Sequence, residues 1–270
     1  MSVTPRTKVF FLICIVLPGL LEAVLILNEL YNDSEALHLA HTHPKFKPVV
    51  LINTQKGSAT GVVINVPDKP DLTKRVILTN AHVIQDGIKK IYLEGLAPDA
   101  DSEDTIDDSK NLAFLSSKAH PSFKKDEESL RKYDYGVVVL EKALDIEPLE
   151  LTDEQLAKDT PITIVGYGQK AMVHNGRLSE QPISDLKKRA FKSIISEIKN
   201  EDRIFYTHIN PETTENFVFP YQGDSGGPVF RTTQEHTGII LGIVSGFLND
   251  EDKAAYINPT IKDISALLDE

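Results

Sequence analysis

Three short stretches of this chain carry groups that cooperate in acyl transfer. Leu78-Thr79-Asn80-Ala81-His82-Val83 ends an apolar run in a histidine, and Asp134-Tyr135-Gly136-Val137-Val138-Val139-Leu140 sets an aspartate just ahead of another. Gly223-Asp224-Ser225-Gly226-Gly227-Pro228 places a serine in a glycine-rich loop. Acyl transfer needs a hydroxyl nucleophile, a base to take its proton and a carboxylate to orient the base. The glycines suit a tight loop that aims backbone N–H groups at one point. Donors of that kind each contribute roughly 3–4 kcal/mol to an oxyanion transition state. Each fragment alone is weak, because a histidine at a strand end or an aspartate before a strand is more often structural. The ordered set His82, Asp134, Ser225 is specific.

Strands must position these groups. Pro48–Asn53, Thr60–Val66, Arg75–Thr79 and Lys90–Glu94 are short runs rich in Val, Ile and Leu, punctuated by Gly, Pro, Asn and Asp. Leu112–Ser116, Tyr135–Leu140, Pro161–Val165, Arg203–Ile209, Gly227–Phe230 and Gly238–Val244 repeat the pattern. Short strands at regular spacing predict an all-β sandwich or barrel rather than alternating βαβ units. Few segments read as helix. Thr152–Ala157 is about one turn, and Pro259–Leu268 predicts a terminal helix with Ile261, Ile264, Leu267 and Leu268 on one face. Residues 185–198 fit either a helical stripe or a strand.

The 270 residues are 41% hydrophobic and carry a formal charge of −11, which excludes wholesale disorder and argues against nucleic acid as a partner. The one cysteine, Cys14, lies in the N-terminal apolar stretch, leaving the folded part without an intrachain disulfide or cysteine-ligated metal. Arg6 and Lys8 precede an apolar run broken at Pro18-Gly19, the pattern of a secretory signal over residues 1–27. The alternative is an uncleaved membrane anchor through residues 9–27. Either reading carries the rest of the chain out of the cytoplasm, to a secreted or periplasmic location or to a membrane-anchored one. Residues 28–47 show no clear periodicity and read as a tether or propeptide; His38, His41 and His43 could bind a metal, but the polar tether is preferred. Asp99–Asp108 holds six carboxylates without the glycine of an EF-hand loop, and reads as a solvated loop in preference to a calcium site.

Residues 48–270 resemble the chymotrypsin-like, trypsin-fold serine proteases, most closely the disulfide-free bacterial type. The order His82, Asp134, Ser225 is that family's order. His120-Pro121, Val165-Gly166-Tyr167-Gly168 and Val244-Ser245-Gly246 fall where the family has landmarks. The resemblance implies two six-stranded antiparallel barrels packed together, a C-terminal helix and an active site in the cleft between the barrels. It implies His82 as general base and acid, Asp134 as its orienting carboxylate and Ser225 as the nucleophile. It further implies an oxyanion hole from the N–H groups of Gly223 and Ser225, and support of Asp134 by Ser245. Phe219 would lie at the base of the primary pocket, with Ser245, Gly246 and Phe247 on one wall and Ala254 on another. That favours a small or medium apolar side chain, although Asp250, Glu251 and Asp252 could meet a cation.

Two departures stand out. Val83 and Tyr221 replace family cysteines, and no Ile-Val-Gly-Gly start offers an ammonium to Asp224, so activation of the digestive kind is not expected. The expected function is a monomeric serine endopeptidase acting on polypeptide through an acyl-enzyme, with no cofactor and no metal. The alternatives are a catalytically silent binding protein on the same fold and a protease dedicated to one target.

Overall fold

The computed structural model describes residues 33–101, 104–126, 132–169, 173–174, 177–178, 184–199, 203–208, 220, 222–232, 239–248 and 253–269. The predicted signal or anchor at 1–27, Phe219, Tyr221 and the acids at 250–252 lie outside them.

Unbroken runs of Val, Ile and Leu, rather than a polar–apolar alternation, mark strands buried on both faces. Six such strands form the first sheet: β1 (Val49–Thr54), β2 (Ser58–Ile64), β3 (Val76–Thr79), β4 (Ile88–Tyr92), β5 (Phe114–Ala119) and β6 (Gly136–Leu140). Their order is β4-β1-β2-β3-β6-β5, and every pair is antiparallel. The sheet curls until its edges meet, where Leu112 N–H donates to Ile91 O at 2.7 Å and Tyr92 bridges Asn111. One face of these strands fills the first barrel with Val50, Ile52, Val63, Ile77, Val138 and Leu140. The other face turns Val49, Leu51, Val62, Ile64, Leu78 and Val137 toward the second barrel, where they meet Val165, Phe230, Ile243 and Ile257.

The second sheet is built from β7 (Glu150–Leu151), β8 (Pro161–Gly166), β11 (Arg189–Ile194), β12 (Glu197–Lys199), β13 (Ile204–His208), β14 (Pro228–Arg231), β15 (Ile239–Leu248) and β16 (Lys253–Ile257). A separate two-stranded hairpin pairs β9 (Val173–His174) with β10 (Arg177–Leu178). The second sheet runs β11-β8-β14-β15-β16-β13-β12, one segment more than six. The difference is a bend. Only Ile195 and Ser196 separate β11 from β12, and there the chain changes partner: Ile195 N–H donates to Thr160 O, and Ser196 N–H to Tyr206 O. One bent strand thus opens and ends the order, as in a closed six-stranded barrel. The ambiguous stretch 185–198 is this strand.

Short β7 runs parallel to β15, while neighbouring Leu149 bonds Val63 and Asn65, so the connection stitches the two barrels together. The terminal helix α3 (Ile261–Asp269) sits as predicted. Thr260 and Asp263 cap its start reciprocally, each side chain accepting the other's backbone N–H at 2.9 Å. Ile264 and Leu267 enter the core shared by the barrels.

One expectation needs correction. Thr152–Ala157 is not helical, because Thr152 Oγ1 accepts the Glu154 N–H and holds the start of the segment as a local turn. Within the segment 28–47, which shows no clear periodicity in sequence, residues 33–47 are largely helical. Asp33–Thr42 forms helix α1, with Ala36 and Ala40 buried against the protein; α2 is the short helix Ala81–Gln85. Arg189, at the start of β11, binds Asp33 at 2.7 Å and Asp185 at 2.5 Å. Phe46 is fully buried, its ring 5.1 Å from that of Phe230. One histidine of this segment serves local structure: His43 Nδ1 accepts the Lys45 N–H, and its ring lies 4.6 Å from Phe46.

Lys188 is buried under this segment, donating to Phe46 O at 3.1 Å, and burial pushes its ammonium down to about 8. With its folded value below the usual lysine value of 10.5, the native state binds fewer protons than the unfolded chain between about pH 8 and 10.5. Stability from this group therefore rises with pH across that window, by about 3 kcal/mol at most. In urea unfolding, the free-energy difference between wild type and Lys188→Met is expected to move toward wild type by roughly 2 kcal/mol between about pH 8 and 10. A difference that does not change with pH would show that Lys188 is not desolvated.

Candidate active site

His82 lies in α2, immediately after β3, and Asp134 immediately precedes β6, the strand paired with β3. That pairing brings the two together. Asp134 is fully buried, and its carboxylate is engaged from three directions. Its Oδ1 accepts the His82 backbone N–H at 3.0 Å; the ring Nδ1 lies 2.8 Å from Oδ2 and 3.0 Å from Oδ1. Ser245 Oγ donates to Oδ2 at 2.8 Å. Asn80 adds a fourth tie, its Nδ2 donating to the Asp134 carbonyl at 2.7 Å. The imidazole is thereby held at Nδ1.

Ser245 reaches Asp134 because β15 carries a bulge. Val244 pairs with Tyr256 and Gly246 with Ala255, so the register shifts at Ser245 and turns it out of the ladder. A Cβ built on Gly246 would meet nothing within 4 Å, so the strand offers open space there. Ala254 is buried on β16, while the Phe247 side chain lies outside the described residues.

Ser225 sits between this strand and the first barrel. Gly226 N–H donates to Val244 O at 2.9 Å, and Thr60 N–H on β2 donates to Ser225 O at 2.9 Å. Thr79, three residues before His82, donates to Thr60 O at 2.8 Å. The Ser225 loop and the His82 segment are thus both tied to one buried threonine. Among the described residues no hydrogen bond joins Ser225 Oγ to His82, and neither the Gly223 nor the Ser225 N–H has an acceptor.

The loop uses two glycines with positive φ, Gly223 at 103° and Gly226 at 82°. A Cβ on Gly226 would lie 2.2 Å from Thr60 O and 2.3 Å from Thr79 Oγ1. Gly226→Ala is therefore expected to lose at least about 3 kcal/mol of stability, or to displace the loop and abolish turnover. Full activity with an unchanged melting temperature would contradict the geometry. Asp224 is buried, and its Oδ1 accepts the Gly168 N–H at 2.8 Å. The Gly166-Tyr167-Gly168 segment thus supplies a donor to this carboxylate, and its glycines leave room for it.

In the acidic loop, Asp107 Oδ1 accepts the Ser109 N–H, Asp104 Oδ2 accepts the Asp101 N–H, and Asp108 pairs with Lys90 and Tyr92. Among the described residues no cluster of carboxylates or histidines has metal-binding geometry. Thr60, Asn80 and Gly168 were not marked as site residues by sequence reasoning. Thr60 gave no signal, since a threonine in a Val/Ile run reads as an ordinary strand former.

The fold is shared with solved structures of low sequence similarity. Human heparin binding protein is 15% identical, with a TM-score of 0.58 over 85% of this chain and 95% of that one. An inactivated protease paralogue of the scabies mite is 14% identical, with a TM-score of 0.53 over 84% and 94%. A Glu endopeptidase is 13% identical, with a TM-score of 0.53 over 85% and 90%. No curated protein sequence matches the chain. The family model described as Trypsin matches residues 48–262, the span from β1 into α3 that holds both barrels and all three motifs, and the chain belongs to the trypsin family.

Proposed function

We propose that this protein is a serine endopeptidase that cleaves peptide bonds through an acyl-enzyme. The observation that carries this reading is the fully buried Asp134 carboxylate gripping both the backbone N–H and the ring Nδ1 of His82. An imidazole held in that tautomer has a basic Nε2. His82 takes the Ser225 hydroxyl proton as Oγ attacks the substrate carbonyl, and the N–H groups of Gly223 and Ser225 hold the oxyanion. Collapse of the tetrahedral intermediate breaks the peptide bond, and His82 gives its proton to the leaving amine. Water, deprotonated by His82, then hydrolyses the ester. No cofactor takes part. Beside Ser245 and Gly246 the primary pocket takes a small or medium apolar side chain. The chain is exported, through a signal or an anchor in residues 1–27, and acts as a monomer.

Digestion of a library of unrelated peptides tests this. Cleavage after one class of side chain in many sequences is the expected result. Cleavage of none, by a folded sample, would overturn general proteolysis. One observation favours a second reading, a trypsin fold that binds a polypeptide without cleaving it: Ser225 Oγ makes no hydrogen bond to His82 among the described residues. Such bonds are often long in unliganded enzymes and tighten on the substrate. Turnover of an activated ester separates the two.

A further inference from the structure

An oxyanion hole works only if its peptide units are fixed before the charge arrives. A trans peptide unit is planar, with its N–H antiparallel to its C=O, so each anchored carbonyl fixes the direction of the next residue's N–H. In the loop from Gln222 to Ser225 all four carbonyls are anchored. Gln222 O accepts the Gln169 N–H at 2.7 Å, and Asp224 O accepts the Gly227 N–H at 2.8 Å. The other two belong to one residue of the opposite barrel. Thr60 Oγ1 donates to Gly223 O at 2.7 Å, and Thr60 N–H donates to Ser225 O at 2.9 Å.

The same hydroxyl accepts the Tyr167 N–H at 3.0 Å. One donor and one acceptor role are then filled on a side chain with no solvent exposure. Tyr167 precedes Gly168 and Gln169, whose own N–H groups bind Asp224 Oδ1 and Gln222 O. The hydroxyl thus locks the two facing segments in register. Gly223 makes this necessary: at φ 103° it is in a region where glycine has wide rotational freedom, and nothing in its own backbone prevents the Gly223–Asp224 unit from turning over.

We propose that Thr60 is a positioning residue for catalysis: its hydroxyl fixes the Gly223–Asp224 peptide, the link between the Gln222–Gly223 and Asp224–Ser225 units, so that the Gly223 and Ser225 N–H groups those two units carry keep a common aim at the oxyanion. This rests on the endopeptidase reading above and adds to it a residue of the first barrel that touches neither substrate nor the reacting atoms.

The test compares full-length wild type, Thr60→Val, Thr60→Ser and Thr60→Cys on an activated acyl ester, with amide hydrogen exchange of the segment holding Gly226 and Gly227. Thr60→Val is expected to lower kcat by about 10²-fold with KM nearly unchanged, since a misplaced group costs about that much. Thr60→Ser, which keeps the hydroxyl, is expected to restore kcat to within threefold. Exchange at Gly226 and Gly227 is expected to quicken in Thr60→Val and not in Thr60→Ser. If Thr60→Val does not fold, Thr60→Cys, a weaker donor of similar size, is expected to show a smaller loss in the same direction. A kcat within threefold of wild type in a variant lacking the hydroxyl, or a loss confined to KM, would overturn the proposal. If wild type turns over no ester, the endopeptidase reading fails, and the exchange comparison alone then decides whether Thr60 holds the loop.

Discussion

Ser225→Ala is expected to lower kcat by about 10⁶-fold on an ester or peptide substrate, the scale of losing the nucleophile of a triad. Its stability should stay within about 0.5 kcal/mol of wild type. Both halves follow from one arrangement. The loop is held through backbone groups, by Thr60 at Ser225 O and by Val244 at the Gly226 N–H, so removing the side-chain oxygen leaves its shape intact. Among the described residues Ser225 Oγ makes no hydrogen bond, so no buried partner is orphaned. Kinetics paired with thermal melting check this. A loss under tenfold would assign the nucleophile to another group.

Asp134→Asn is expected to lower kcat by about 10⁴-fold through the wrong histidine tautomer. The His82 backbone N–H is an obligate donor facing Oδ1, so the amide must place its oxygen there. Its NH₂ then occupies the Oδ2 position, 2.8 Å from Nδ1, and donates to the ring. The imidazole responds by carrying its proton on Nε2, where it cannot accept one from Ser225. Ser245 Oγ can turn from donor to acceptor toward the new NH₂, so the fold tolerates the change. Steady-state kinetics with the proton resonances of His82 as a second readout check this. Unchanged kcat, or a ring proton still on Nδ1, would contradict the assigned role of the carboxylate.

Much of this site is legible in the chain because its parts are local. His82 and Asp134 each sit beside an apolar strand that the Val/Ile runs announce, and β3 and β6 pair to bring them together. The glycines flanking Ser225 mark positions where φ is positive. What the sequence hides is the long-range component. Thr60 acts through loop carbonyls more than 160 positions away, which no local pattern encodes. Strand β16 begins Lys253-Ala254-Ala255, and alanine is a poor strand signal, so the local pattern does not announce it. Helix α1 fully buries only Ala36 and Ala40, with Leu39 partly buried, and Arg189 adds an ion pair to Asp33 at its start. The supposed turn of helix at Thr152–Ala157 failed for the opposite reason, a side-chain bond that competes with the helical one.

Labelling of the purified protein with a fluorophosphonate, followed by intact mass and peptide mapping, tests the central claim most directly. The reagent bonds only to a serine whose proton has a base to receive it and whose tetrahedral adduct has donors to hold it. One adduct per chain, mapped to Ser225 and lost in His82→Ala, is the predicted result. A folded protein that takes no label, or takes it elsewhere, would contradict the assignment of His82, Asp134 and Ser225 as a working triad.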